Sequence, residues 1–139
     1  MRRLMLDTCV VIDMLMDAGG LDNSVTNLLN DPNYVLCASF ETMREIVVLF
    51  NNKKLLSKRW KTADEVISTV ENDLEIKFLP LRPNVGYTYS RLQLNEEQKH
   101  RDPSDHIIIS HAITERLTLL SSDTRFPFYT GQKLDLISY

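Results

Sequence analysis

Two acids, Asp102 and Asp105, stand three residues apart in the segment His100-Arg101-Asp102-Pro103-Ser104-Asp105-His106, which runs directly into Ile107-Ile108-Ile109-Ser110-His111-Ala112. Three residues is close to one helical turn, so on a helix both carboxylates share a face. Held side by side they repel unless a proton or a cation intervenes. Should further acids converge on that face, a divalent cation with oxygen ligands satisfies the whole set. The same residues also read as helix punctuation. Asp102 is a good N-cap, Pro103 suits the first helical position, and Asp105 falls in the first turn, where negative charge complements the helix dipole.

Further acids follow apolar runs elsewhere. Leu4-Met5-Leu6 reads as a buried strand that stops at Asp7, and Leu117-Thr118-Leu119-Leu120-Ser121 as another that ends at Ser122-Asp123. Tyr34 to Ala38 is a second buried strand, and Ser39 is a plausible N-cap for a helix from Phe40 to Phe50 that carries Glu45 about 9 Å along its axis. The remaining pattern predicts a helix over 9–16 closed by Gly19-Gly20, a helix over 22–30, a helix from Ala63 to Leu74, a third strand over 76–79 and a helical segment from Pro83 to Leu94. The helix 102–116, an irregular cover at 126–129 and an edge strand at 134–138 complete the chain. Strands alternating with helices imply an α/β fold with a mostly parallel sheet, and such sheets bind ligands beyond the carboxyl ends of their strands. Asp7 and Asp123 belong at that edge and Glu45 can reach it. Asp105 is the exception: a simple crossover is expected to start its helix at the far end of the fourth strand, so a tilt or a bent loop is needed to bring it over.

At 139 residues, 43% hydrophobic and 25% charged, the chain is expected to form a single domain over 1–139. A formal net charge of −3 argues against holding nucleic acid by bulk charge alone, though not against a local basic patch. Cys9 and Cys37 sit in apolar stretches and read as reduced thiols. Asp7 interrupts the N-terminal apolar run too early for a signal peptide, and no run reaches membrane-spanning length, so the expected location is cytoplasmic, with no membrane partner.

Four places together resemble the PIN-domain family, and within it the VapC-type toxins of bacterial toxin–antitoxin pairs: Leu6-Asp7-Thr8, Ser39 to Glu45-Ile46, the 100–112 segment, and Leu117 to Phe126. They occur in the family's order across nearly the whole chain. The resemblance implies a three-layer α/β/α PIN-like fold and an acidic metal-binding quartet of Asp7, Glu45, Asp105 and Asp123, with Asp102 as an additional metal-site acid. It also implies that the helix of Asp105 presents that acid to the site. Where the two neighbouring aspartates compete, Asp105 is chosen, because its offsets to Ser110 and Ala112 fit the small positions of the family's helix. The sequence departs from the family pattern at Cys9, Ser104, His106 and Leu49, which bears on substrate contacts and removes no acid.

Carboxylates with no His or Cys among them favour hard cations, so Mg²⁺ or Mn²⁺ is expected. The resemblance supplies the reaction, endonucleolytic hydrolysis of RNA, and the partners: an RNA substrate, a cognate antitoxin and a second copy in a homodimer. Thr8, Ser39 and Ser121 are candidate supporting hydroxyls, with capping and turn formation as their ordinary roles. Lys53, Lys54, Lys58, Arg59 and Trp60 are candidate RNA contacts, with Trp60 stacking on a base, against the commoner reading of a solvated face whose Trp is packed. Glu41 is the better candidate than Glu45 for a plain ion pair. His106 and His111 lie roughly 140° apart on a helix and are not expected to share a metal. His100 and His106 read as surface residues beside the acids. Two other classes compete: a catalytically idle PIN-like module that binds RNA or protein, and a phosphotransfer domain with Asp7 as nucleophile, which lacks the second Asp at position 9.

Overall fold

A computed structural model describes residues 1–17, 21–55 and 57–139. Five strands form one sheet: β1 (Arg2–Leu6), β2 (Tyr34–Ser39), β3 (Lys77–Leu79), β4 (Thr118–Ser121) and β5 (Asp135–Ser138). Their order is β3-β2-β1-β4-β5, and every neighbouring pair is parallel. The expected parallel sheet is therefore wholly parallel, with the 134–138 segment on an edge. The helices are α1 (Thr8–Met16), α2 (Asn23–Leu29), α3 (Phe40–Asn51), α4 (Ala63–Ser68), α5 (Pro83–Arg91) and α6 (Pro103–Glu115). This is the three-layer α/β/α arrangement.

Alternation along the strands makes two cores, because successive side chains point to opposite faces. Leu4, Leu6, Ala38 and Leu120 pack with Val10, Val11, Ile46, Trp60, Val66 and Val70 on one face. Met5, Cys37, Leu79 and Leu119 pack with Ile108, Ile109, Ala112, Phe126 and Tyr129 on the other. Sheets covered on both sides need such continuous apolar strands, which is why β1 and β4 read so clearly in the sequence.

Three boundaries differ from the sequence pattern. Helix α1 closes at Asp17, in the left-handed region at φ 47°, with its N–H on the Asp13 carbonyl, while the Gly19-Gly20 stop lies outside the described residues. The helix expected over 63–74 widens after Ser68 into a π turn over Thr69–Asp73. The segment from Pro83 stops being helical at Arg91, and Phe126–Gln132 is a 3-10 helix rather than irregular cover.

The direction of α6 corrects one expectation. A helix that feeds a strand of a parallel sheet ends at that strand's amino end, so its own start lies over the carboxyl edge. Arg116, left-handed at φ 54°, turns α6 straight into β4. No special tilt or bent loop is required to bring Asp105 to the site.

Candidate active site

The carboxyl edge of the sheet holds a cleft of about 390 Å³ lined by Asp7, Glu45, Asp102, Asp105 and Asp123, together with Thr8, Cys9, Ile12, Leu49, Ser122 and Arg125. The fold thus brings all five sequence-predicted acids to one cavity, and a different device holds each.

Asp7 follows β1 and is the N-cap of α1. Its Oδ1 accepts from the Thr8 N–H at 2.8 Å, and its Oδ2 accepts from Ser121 Oγ at 2.7 Å and from the Cys9 thiol at 3.4 Å. Burial pushes its pKa up against those hydrogen bonds, with Asp123 adding repulsion. Ser121 at the end of β4 also accepts from the Asp123 N–H at 3.1 Å, so one hydroxyl ties the two strand ends together.

Glu45 projects from the second turn of α3. Thr8 Oγ1 donates to its Oε1 at 2.6 Å, and Thr8 is itself 3.0 Å from Thr42 Oγ1. Burial raises Glu45 to about 7, with Asp105, Asp102 and Asp7 adding to the effect. Asp105, in the first turn of α6, is likewise raised to about 7 by burial and then by Asp102, Asp7 and Asp123. Asp123 goes the other way. Burial would raise it, but Arg125 outweighs that with an Nε–Oδ1 bond at 3.0 Å, an Nη2–Oδ2 contact at 2.7 Å and a backbone N–H at 2.9 Å. The same Arg125 Nη2 lies 3.5 Å from Asp105 Oδ2.

Asp102 is exposed and caps α6, its Oδ1 accepting from the Ser104 N–H at 3.0 Å. Both readings of the Asp102–Asp105 pair therefore meet in one structure: Asp102 punctuates the helix while both acids face the cleft.

Several expectations are corrected. Ser39 is buried away from the cleft, capping Glu41 N–H at 3.1 Å and bonding His111 Nδ1 at 2.8 Å, so its role is structural. Trp60 is buried, its Nε1 donating to Thr69 Oγ1 at 2.9 Å, so its face is not free to stack on a base. Arg59 lies over its ring at 5.4 Å and pairs with Asp73 at 3.1 Å, whereas Lys53, Lys54 and Lys58 are exposed. Glu41 does make the plain ion pair, with Arg44, but it is buried and also bonded by Ser104 Oγ rather than on a solvated face.

The acids also have nitrogen and sulfur neighbours that the sequence did not suggest. His100 and His106 are core residues, not surface ones: each ring is shielded, and burial pushes both pKa values down. His100 Nε2 sits 2.8 Å from Asp105 Oδ2, and His106 Nε2 lies 3.0 Å from the His100 carbonyl. A His100 nitrogen and one oxygen each of Asp105 and Asp123 lie within 4.8 Å of one another. Burial, and then the charge of Asp7, raise the Cys9 thiol to about 11, so it stays neutral. Arg125 and His100 were legible only as members of a motif; no periodicity or spacing marks a residue that acts on another residue's carboxylate.

A metal fits this site on the chemistry of its donors. Burial and the charge of neighbouring aspartates raise both Glu45 and Asp105 to about 7, and a divalent cation relieves that repulsion with carboxylate oxygens already in place.

The PIN domain family model matches residues 4–130. No curated protein sequence matches the chain. Among solved structures, its fold is similar to that of VapBC2 from Rickettsia felis, solved bound to a DNA fragment from its promoter, with a TM-score of 0.74 and 19% identity over 98% of each chain. It is similar to VapBC-1 from nontypeable Haemophilus influenzae at a TM-score of 0.66 and 19% identity, covering 98% of this chain and 97% of that one. FitAcB from Neisseria gonorrhoeae is similar at 0.62 and 20% identity over 96% of each chain.

Proposed function

The chain belongs to the PIN-domain family, and on that premise we propose that it is a metal-dependent endoribonuclease, the toxin of a VapC-type toxin–antitoxin pair. The observation that carries the reading is the gathering of Asp7, Glu45, Asp105 and Asp123 in one cleft at the carboxyl edge of a parallel sheet. These four would hold Mg²⁺ or Mn²⁺, which when bound supplies an acidified water and offsets the charge of a phosphodiester.

The chain's own groups orient the acids and receive the substrate. Ser121 and the Thr8 N–H fix the two oxygens of Asp7, and Thr8 Oγ1 fixes Glu45. Ile12 and Leu49 form an apolar wall, so Arg125 is the one cation among the described residues lining the cleft and is the candidate to meet a phosphate oxygen. The exposed Lys53, Lys54 and Lys58 are candidates for the RNA strand beyond the cleft. An antitoxin partner accompanies this reading, supported by the VapBC and FitAcB structures whose fold the chain shares, and we propose with it a homodimer and a cytoplasmic location.

The test is cleavage of a labelled structured RNA with Mn²⁺ or Mg²⁺, by wild type and by Asp7→Asn, with EDTA as control. Metal-dependent cleavage abolished by the substitution is the expected result. Equal cleavage by both proteins refutes the assignment, and Mn²⁺ binding with no cleavage of any RNA favours an idle binding module instead.

A further inference from the structure

An acid in the third position of a helix can fold back onto the N–H of the N-cap residue. Asp105 makes no such bond to Asp102 or to the rest of its first turn, where Pro103 has no N–H and the Ser104 N–H goes to Asp102. Among the described residues, Asp105 meets only His100 Nε2 at 2.8 Å and the more distant Arg125. Its aim into the cleft is therefore set from outside its helix.

We propose that His100 is a positioning residue for Asp105, held by a relay that runs through Tyr129 to the backbone of Asn95. The inference rests on the nuclease reading only where it concerns metal. One proton arrangement satisfies every member. The Asn95 N–H donates to Tyr129 Oη at 3.1 Å, the Tyr129 hydroxyl donates to His100 Nδ1 at 3.0 Å, and His100 Nε2–H donates to Asp105 Oδ2 at 2.8 Å. The imidazole carries a single proton in this arrangement, because Nδ1 accepts while Nε2 donates. Phe126 and Tyr129, each 5.6 Å from its ring centre, and His106 at 4.8 Å wall the ring and fix its plane. The Asn95 side chain also donates to the Arg125 carbonyl at 3.1 Å, so the relay is anchored to the loop that carries the cleft's cation.

A buried polar chain of this kind adds little net stability over an apolar one of the same shape, so what it supplies is direction. A ligand role for His100 fits less well. With Nδ1 accepting from Tyr129 and Nε2 carrying the proton given to Asp105, neither ring nitrogen has a lone pair free for an ion.

The experiment has two readouts on the whole chain. In the metal-free protein, long-range ¹H–¹⁵N spectra are expected to show His100 as the Nε2–H tautomer, with Tyr129→Phe shifting its Nδ1 resonance. An Nδ1–H tautomer overturns the proposal whether or not the protein binds metal. The second readout is Mn²⁺ and Mg²⁺ affinity, by electron paramagnetic resonance and by competition. His100→Phe is expected to weaken both metals by roughly 10- to 100-fold, and Tyr129→Phe by less, with the circular dichroism of the folded chain preserved. In an Asp105→Asn background the His100→Phe effect is expected to vanish. An undiminished effect there overturns the proposal, as does a loss for Mn²⁺ with Mg²⁺ unchanged, which marks His100 as a ligand. Wild type that binds neither metal refutes the nuclease reading and leaves the tautomer result to decide the positioning role.

Discussion

Removing a charge from the cleft is expected to stabilise the metal-free protein, and Asp105→Asn makes the case quantitatively. The aspartate's pKa moves from an ordinary 3.8 to about 7 in the fold. At about 1.4 kcal/mol per unit this sets a ceiling near 4 kcal/mol for the penalty of ionising it in place. The side chain keeps 14% of its surface open to the cleft, and water there screens part of the repulsion from Asp102, Asp7 and Asp123. Halving the ceiling gives about 2 kcal/mol. Asparagine keeps the shape, and its carbonyl still accepts from His100 Nε2, so no buried donor is orphaned.

The sign comes from proton linkage. The folded pKa lies above the unfolded one, so between the two the native state binds more protons and wild-type stability falls as pH rises. The penalty is absent below the ordinary pKa of 3.8, grows across the interval and is complete above about 7. Roughly two-thirds of it, just over 1 kcal/mol, therefore develops between about pH 5 and pH 8. For a domain of this size that is roughly 3–6 °C in melting temperature. The assay is differential scanning calorimetry of wild type and Asp105→Asn in EDTA at both pH values, the difference between the two proteins cancelling the titrating groups that do not interact with Asp105. An advantage of the variant that grows with pH supports the charge-repulsion account. A pH-independent difference, or a variant less stable than wild type at about pH 8, refutes it.

Three other outcomes are expected. Thr8→Val removes the donor to Glu45 Oε1 and should weaken Mn²⁺ binding by roughly 10-fold in a direct titration, as loss of an outer-shell partner does. Arg125→Ala frees the Asp123 carboxylate, so Mn²⁺ should bind more tightly while KM for RNA rises; a tighter metal with unchanged KM would remove Arg125 from the phosphate-binding role. Trp60→Ala should destabilise by about 3–5 kcal/mol in denaturant titrations, because the ring is buried, while Trp60→Phe leaves RNA affinity unchanged in filter binding.

Periodicity made part of this architecture legible in the sequence. β1 and β4 are short apolar runs in a doubly covered sheet, and the acids just past their ends had to lie at the carboxyl edge. Glu45 was placed by counting turns from the Ser39 cap. The direction of α6 was equally available, since a helix that ends where a parallel strand begins must start at the opposite edge.

The rest was hidden because it depends on contacts between residues far apart in the chain. Trp60 among five basic residues has the composition of a nucleic-acid contact, and only the position of Thr69 on the π turn decides that its indole N–H points inward. His100 sits beside two acids in a polar stretch, which reads as surface. Its burial is decided by Phe126 and Tyr129, which fold over it from the 3-10 helix after β4. Both outcomes obey one physical rule. A polar side chain goes under only where a specific partner waits for it, and that partner leaves no trace in the local pattern. Acids at strand ends are announced by the strands, whereas the groups that aim those acids are announced by nothing local. Residues whose variants alter metal affinity without touching the cleft are therefore to be sought among buried polar side chains such as His100 and Tyr129, ahead of the charged surface.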